Sequence, residues 1–192
     1  MIDSILINLY GGPGCGKSTL ASRIFSFLKK QGYIAELTGE FAKDSIYDDN
    51  LSVFNDQYYI FGNQYHRVKR LWNKVQYIIS DSPVLLCPIY NKEKDMLFEK
   101  FVYNADKKFK QINIFINRNE NLQYKTEARN ENEKEAKIID NKIKNMLNKY
   151  AIPYVSIEIN DTVQINKEWW ELLNYAYYLK LLCNLDKYPH KI

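Results

Sequence analysis

The sequence predicts an α/β fold: a parallel sheet with helices on both faces, in three layers. Two observations carry that expectation. Short apolar runs alternate with helical patterns along the chain, strand then helix five times over, and such alternation builds a parallel sheet buried on both faces. The first strand and first helix are joined by Gly11-Gly12-Pro13-Gly14-Cys15-Gly16-Lys17-Ser18, which fits G-x-x-x-x-G-K-[ST] without a gap. With 192 residues, the chain is long enough for a full core and reads as one domain, 1–192.

Residues 4–10 form an apolar run bounded by glycines and read as a buried strand. Residues 17–31 are the first helix, with Leu20, Ile24, Phe25 and Leu28 as its apolar stripe and Gly32 as its stop. Residues 33–38 are a second strand, ending at Gly39-Glu40 before a short helical piece that carries Lys43 and Asp44. Residues 51–74 have the cleanest helical period. Phe54, Tyr58, Phe61, Tyr65, Val68 and Trp72 fall on one face, with Gln57, Asn63, Gln64, Arg67 and Arg70 away from it. Residues 75–80 (VQYIIS) are a third strand ending in Asp81-Ser82-Pro83, and Pro83 turns the chain into a short apolar segment, 84–90. A helix over 95–109 and a fourth strand over 111–116 follow, then Arg118 and a polar stretch to residue 132 that includes Lys125 and Arg129. A helix over 131–150, a fifth strand over 154–159, a loop over 160–166 and a last helix over 167–186 complete the series. The aromatic residues of that last helix (Trp169, Trp170, Tyr175, Tyr177, Tyr178) are expected to face the core.

The glycine-rich loop dictates its own chemistry. Without side chains at Gly11, Gly12, Gly14 and Gly16, the backbone can curl its N–H groups around a polyphosphate, and the positive end of the next helix faces the same anion. The cradle is expected to comprise Gly12, Gly14, Cys15, Gly16, Lys17, Ser18 and Thr19, with Lys17 on the β- and γ-phosphates and the Ser18 hydroxyl on Mg²⁺. An apolar strand ending in an acid some distance after such a loop supplies the Mg²⁺-side carboxylate, here Asp81. Ligands of open α/β sheets sit outside the carboxyl ends of the strands, which singles out Glu40 and Arg118. Gln57, Gln64 and Arg67 stand seven and three residues apart and can point into one pocket. The segment 118–132 is expected to act as a lid, with Arg118 and Arg129 neutralising charge over the phosphates.

Composition narrows the classes. Hydrophobic residues at 46% and charged residues at 26% are ordinary for a globular protein, and a net charge of +4 with no basic block argues against nucleic acid as a partner. No apolar run approaches a membrane span, and the N-terminus carries no signal-peptide pattern. Three widely spaced cysteines, Cys15, Cys87 and Cys183, argue against a disulfide framework and a zinc site and for a reducing cytoplasm.

The loop, Glu40 with Lys43-Asp44, the Gln/Arg helix, Asp81-Ser82-Pro83 and the Arg-bearing segment occur in the order seen in P-loop nucleoside and nucleotide kinases. The chain resembles most the small ATP-binding proteins, often encoded by phages, that are grouped with the kinase domain of nicotinamide riboside kinase. That resemblance implies a P-loop NTPase fold with strand order 2-3-1-4-5, ATP and Mg²⁺ at one end of a cleft and a small nucleoside- or nucleotide-like acceptor at the other. It also implies an acid at the end of the second or third strand that handles the acceptor hydroxyl, and Glu40 and Asp81 both match. The Glu-Arg-Ser signature of deoxynucleoside kinases and the Asp-Arg-Tyr signature of thymidylate kinases are absent, so the acceptor's identity stays open. So do the choice of ATP or GTP and the oligomeric state, a homodimer among the options. The expected mechanism is phosphoryl transfer in which Lys17, Glu40, Asp81, Arg118 and Arg129 act on the reacting groups, while Glu40, Gln57, Gln64 and Arg67 hold the acceptor. Two other classes fit the same loop: an ATPase or switch that works on a macromolecule, and a nucleic-acid end kinase.

Overall fold

The computed structural model describes residues 2–118, 133–158 and 165–187. Five strands, β1 (Ile5–Tyr10), β2 (Ala35–Thr38), β3 (Tyr77–Ser80), β4 (Gln111–Asn117) and β5 (Val155–Glu158), form one sheet of order β2-β3-β1-β4-β5. All four pairings are parallel, as expected from the alternation and the resemblance. The helices among the described residues are α1 (Lys17–Lys30), α2 (Phe41–Tyr47), α3 (Gln57–Lys69), α4 (Cys87–Tyr90), α5 (Met96–Asp106), α6 (Glu133–Lys149) and α7 (Lys167–Lys187). Among the described residues no helix is long and apolar enough to cross a membrane.

Alternation along the central strands sends side chains to opposite faces. Ile7, Leu9, Ile79, Ile112, Ile114 and Ile116 pack with Leu20, Ile24 and Leu28 of α1 and Trp170, Leu173 and Tyr177 of α7. Tyr10 and Phe115 face the other way, onto Phe61, Phe98, Val102, Ile139 and Ile143. Through that second face runs a row of polar residues in register: Thr38 beside Ser80, Ser80 beside Asn8, Asn8 beside Asn113. All four are buried. Asn8 Nδ2 donates to Asn113 Oδ1 at 3.1 Å, and Asn113 Nδ2 to the Pro153 carbonyl at 3.2 Å.

Two expectations needed revision. The long helix over 51–74 is broken into a 3-10 turn at Leu51–Asn55 and α3. The break lies at Asp56, whose side chain accepts the Tyr59 N–H at 2.9 Å and so caps a new helix start. Of the expected stripe, Phe61 and Val68 are buried and Phe54, Tyr65 and Trp72 pack against the core. The buried residues of α3 are Gln57, Ile60, Phe61, Gln64 and Val68, while Tyr58 is exposed. In α7, Trp170 and Tyr177 are buried as expected, but Tyr175 and Tyr178 are exposed.

Candidate active site

The loop between β1 and α1 lies at the carboxyl rim of the sheet. Gly16 is the residue before α1 and has φ +95, a left-handed conformation that favours glycine. No side chain caps this end of α1, so its first N–H groups are left to an anion, and Ser18 and Thr19 of the first turn are exposed. Lys17 curls back over the loop: its Nζ donates to the Gly11 carbonyl at 2.8 Å and the Gly12 carbonyl at 3.0 Å. An ammonium carries three protons, so one remains for the space beyond. A Cβ on Gly12 would stand 2.6 Å from the Ala136 carbonyl oxygen, which makes that position a close approach between loop and α6. These features fit a bound polyphosphate.

Beyond Lys17 opens a cavity of about 370 Å³. Pro13, Gly14, Gly16, Lys17, Ser18 and Thr19 form one side of it. Glu40, Ala42, Lys43 and Ile46 come from the segment after β2, Phe54, Gln57 and Ile60 from the 3-10 turn and α3, and Ser82, Leu86, Cys87 and Tyr90 from the segment after β3. The cavity thus joins the phosphate loop to a mixed polar and apolar chamber. Burial pushes the Cys87 thiol up to about 12, so it stays protonated and acts as a wall rather than a nucleophile.

Of the candidate residues, Lys17, Ser18, Thr19, Gly14, Gly16, Glu40 and Gln57 meet at this cavity. Gly12 and Cys15 of the same loop do not line the cavity, and Cys15 is buried in the core. Asp81 stands one residue past β3, half-buried at the rim, and Ser82 rather than Asp81 lines the chamber. Gln64 and Arg67 are not among the residues that line this cavity, and both reach toward α2. Gln64 Oε1 accepts the Phe41 N–H at 3.2 Å. Arg67 donates to the Gly39 carbonyl at 3.0 Å, pairs with Asp44 at 2.6 Å and lies over the Phe41 ring. It therefore grips the chain on both sides of Glu40. Arg118 is held against the loop: its Nη2 donates to the Pro13 carbonyl at 2.8 Å and its Nε to Asp140 at 3.2 Å. Arg129, Lys125 and most of the 160–166 loop lie outside the described residues.

No sequence signal singles out Asp140, and none marks Ser82, Phe54 and Tyr90 as cavity residues. Nothing local marks Asp140, since its partner Gly12 is 128 positions away. Lys43 carried a faint signal, a cation in the first turn of a short helix where the macrodipole disfavours it.

A phosphate-cradling loop at the edge of a parallel sheet of order 2-3-1-4-5 defines a P-loop NTPase of the kinase-like build. The model of the family described as "AAA domain" (AAA_28) matches residues 6–164, and the chain belongs to that family. No curated protein matches the chain in sequence. Among solved structures, a NadR protein in complex with NR superposes with a TM-score of 0.62 at 12% identity, covering 92% of this chain and 51% of that one. The chain thus spans about half the length of that NadR structure. A thymidylate kinase from Ehrlichia chaffeensis superposes with a TM-score of 0.53 at 12% identity, covering 93% of this chain and 98% of the other. At such identities the likeness is one of fold.

Proposed function

We infer that the protein transfers the γ-phosphoryl group of a nucleoside triphosphate, ATP as the working donor, to a hydroxyl or phosphate of a small nucleoside-like molecule. The observation that carries this reading is the continuity of the cavity from Lys17 and Ser18 to Glu40 and Gln57. Its volume lies in the range of small-ligand sites, roughly 300–1,000 Å³, and exceeds what a hydrolytic water needs. The two superposed structures, one described as a complex with NR and one as a thymidylate kinase, support a small acceptor.

The transition state of such a transfer is loose, so the protein's task is placement and charge neutralisation. The bond from the acceptor oxygen to γ-phosphorus forms as the bond to the bridging oxygen breaks, and the nucleoside diphosphate leaves. Lys17 would meet the β- and γ-phosphates with its third proton, beside the open N–H groups of α1. Glu40 would orient the acceptor and take its proton, with Asp81 the other acid at the rim. Gln57 would hold the acceptor's polar edge and Phe54, Ile46 and Leu86 its flat face. Ser18 and Asp81 are the residues that would hold Mg²⁺, directly or through water. The ion, when bound, supplies charge neutralisation across the phosphates.

Labelled-ATP transfer against a panel of nucleosides, mononucleotides, nicotinamide riboside and oligonucleotides tests the reading. Label on a small acceptor supports it. The family description alone favours the second reading, an ATPase that works on a macromolecule. Free phosphate released faster with a macromolecule, and no labelled small product, would replace the first reading by the second.

A further inference from the structure

At the phosphate loop, on side chains that do not line the cavity, three hydrogen bonds converge. The Gly12 N–H donates to Asp140 Oδ1. Arg118 Nε donates to Asp140 Oδ2 at 3.2 Å, and Arg118 Nη2 donates to the Pro13 carbonyl at 2.8 Å. Both side chains are nearly enclosed, 11% exposed for Arg118 and 14% for Asp140. Lys17, which does line the cavity, holds the carbonyls of Gly11 and Gly12.

The two sets of bonds act on the same peptides. The Gly11–Gly12 peptide gives its N–H to Asp140 and its carbonyl to Lys17. A peptide is planar, so fixing the N–H fixes the direction of the carbonyl. The next peptide has no N–H, because it ends in Pro13, and the carbonyl of Pro13 itself is held by Arg118. Glycine backbone supplies little stiffness of its own, so the direction of these carbonyls must be imposed from outside. A nearly buried ion pair is a weak source of stability, because desolvation offsets most of its attraction. A bond from that pair to the loop backbone is therefore better understood by what it orients.

We propose that Asp140 is a positioning residue for nucleotide binding. It sets the Gly11–Gly12 peptide, and through it the place of the Lys17 ammonium, while Arg118 holds the Asp140 carboxylate against the loop. The inference rests on the nucleotide reading given above and deepens it, since it states what aims the phosphate-binding cation.

The test compares Asp140→Ala and Asp140→Asn with the wild type, using fluorescent analogues of ATP and of AMP and a thermal melt of each protein. An effect that passes through Lys17 is felt by β- and γ-phosphates and not by an AMP analogue. Asp140→Ala should weaken the ATP analogue by about 10- to 100-fold, the range for one lost charge-assisted hydrogen bond, and leave AMP within about twofold. Asp140→Asn keeps an oxygen for the Gly12 N–H and should lose less. Unchanged ATP binding by Asp140→Ala overturns the inference, and so does an equal loss for ATP and AMP. If Asp140→Ala does not fold, Asp140→Leu, which fills the space and cannot accept the Gly12 N–H, carries the same comparison with the same two overturning results. A wild type that binds neither analogue sinks the nucleotide reading and the inference together. A wild type that binds, beside a variant that matches it, sinks the inference alone.

Discussion

Lys17 and Glu40 face one cavity from different strand ends, and on the proposed reading their substitutions should separate donor binding from transfer. Lys17→Ala removes the one side-chain charge on the phosphate loop while leaving the apolar strands untouched. Triphosphate affinity should fall by at least about 100-fold, the scale of a lost charge-assisted contact, with the melting temperature little changed. Calorimetry with a folded variant of unaltered ATP affinity would remove Lys17 from the site. Glu40→Gln keeps size and polarity and removes the base. Transfer to the acceptor should drop by about 10²–10⁴, the usual worth of general-base assistance, while ATP affinity stays within a few-fold. Slow hydrolysis to water should fall far less. Phosphorylated product and free phosphate measured from one preparation decide it: if the two rates fall together, Glu40 is not the acceptor-side base.

At the level of elements, α2 and α3 form a unit that presents Glu40. Arg67 of α3 reaches the Gly39 carbonyl and Asp44 at once, and lysine cannot span two such partners with a planar fork. Arg67→Lys should therefore raise the KM for the acceptor several-fold and leave ATP affinity unchanged, measured by initial rates and calorimetry on one sample. Matched changes in both would mean that α3 braces the whole cleft. Much of this unit was legible in the sequence. The acid after β2, the helix with glutamine and arginine on it, and the short helix between them all stood out. The break at Asp56 did not, because a single side-chain cap starts α3 afresh inside an unbroken helical period and leaves Tyr58 exposed. Gln57 and Gln64, expected in one pocket, both belong to the buried face, and one lines the cavity while the other holds α2.

Across the whole molecule, the strands were readable because a sheet buried on both faces needs continuous apolar runs, and each run stood between clear stops. The contact of α6 with the phosphate loop was not readable, since it joins chain positions far apart and no local pattern encodes it. The same holds for Asp106 at the end of α5, which looks like a surface acid and is buried. Burial pushes its carboxyl up from an ordinary 3.8 to about 6, with Gln111 opposing. The folded chain therefore binds this proton more tightly than the unfolded one. Asp106's contribution is fully present below the unfolded value, declines as pH rises toward about 6, and stays lower above it. Asp106→Asn should abolish that decline and stabilise the protein above pH 6 by on the order of 2–3 kcal/mol. Denaturant melts at steps from pH 4 to 7 check it, and parallel wild-type and variant curves would refute it.

The polar row across the sheet has a consequence for how the chain finds its pairing. Strands buried on both faces lack the in–out alternation that elsewhere penalises a misaligned partner, so a shift by two residues would keep apolar against apolar. Asn8 and Asn113 penalise that shift, because it would separate two buried amides that bond each other in the native alignment. They act as a key cut into an otherwise smooth edge. Replacing both with leucine also takes the Asn113 donor from the Pro153 carbonyl and the Tyr177 hydroxyl, so it should lower equilibrium stability and at the same time add slow refolding phases from mispaired sheets. Stopped-flow refolding that stays single-phased in the double variant would show that the loops alone align the strands.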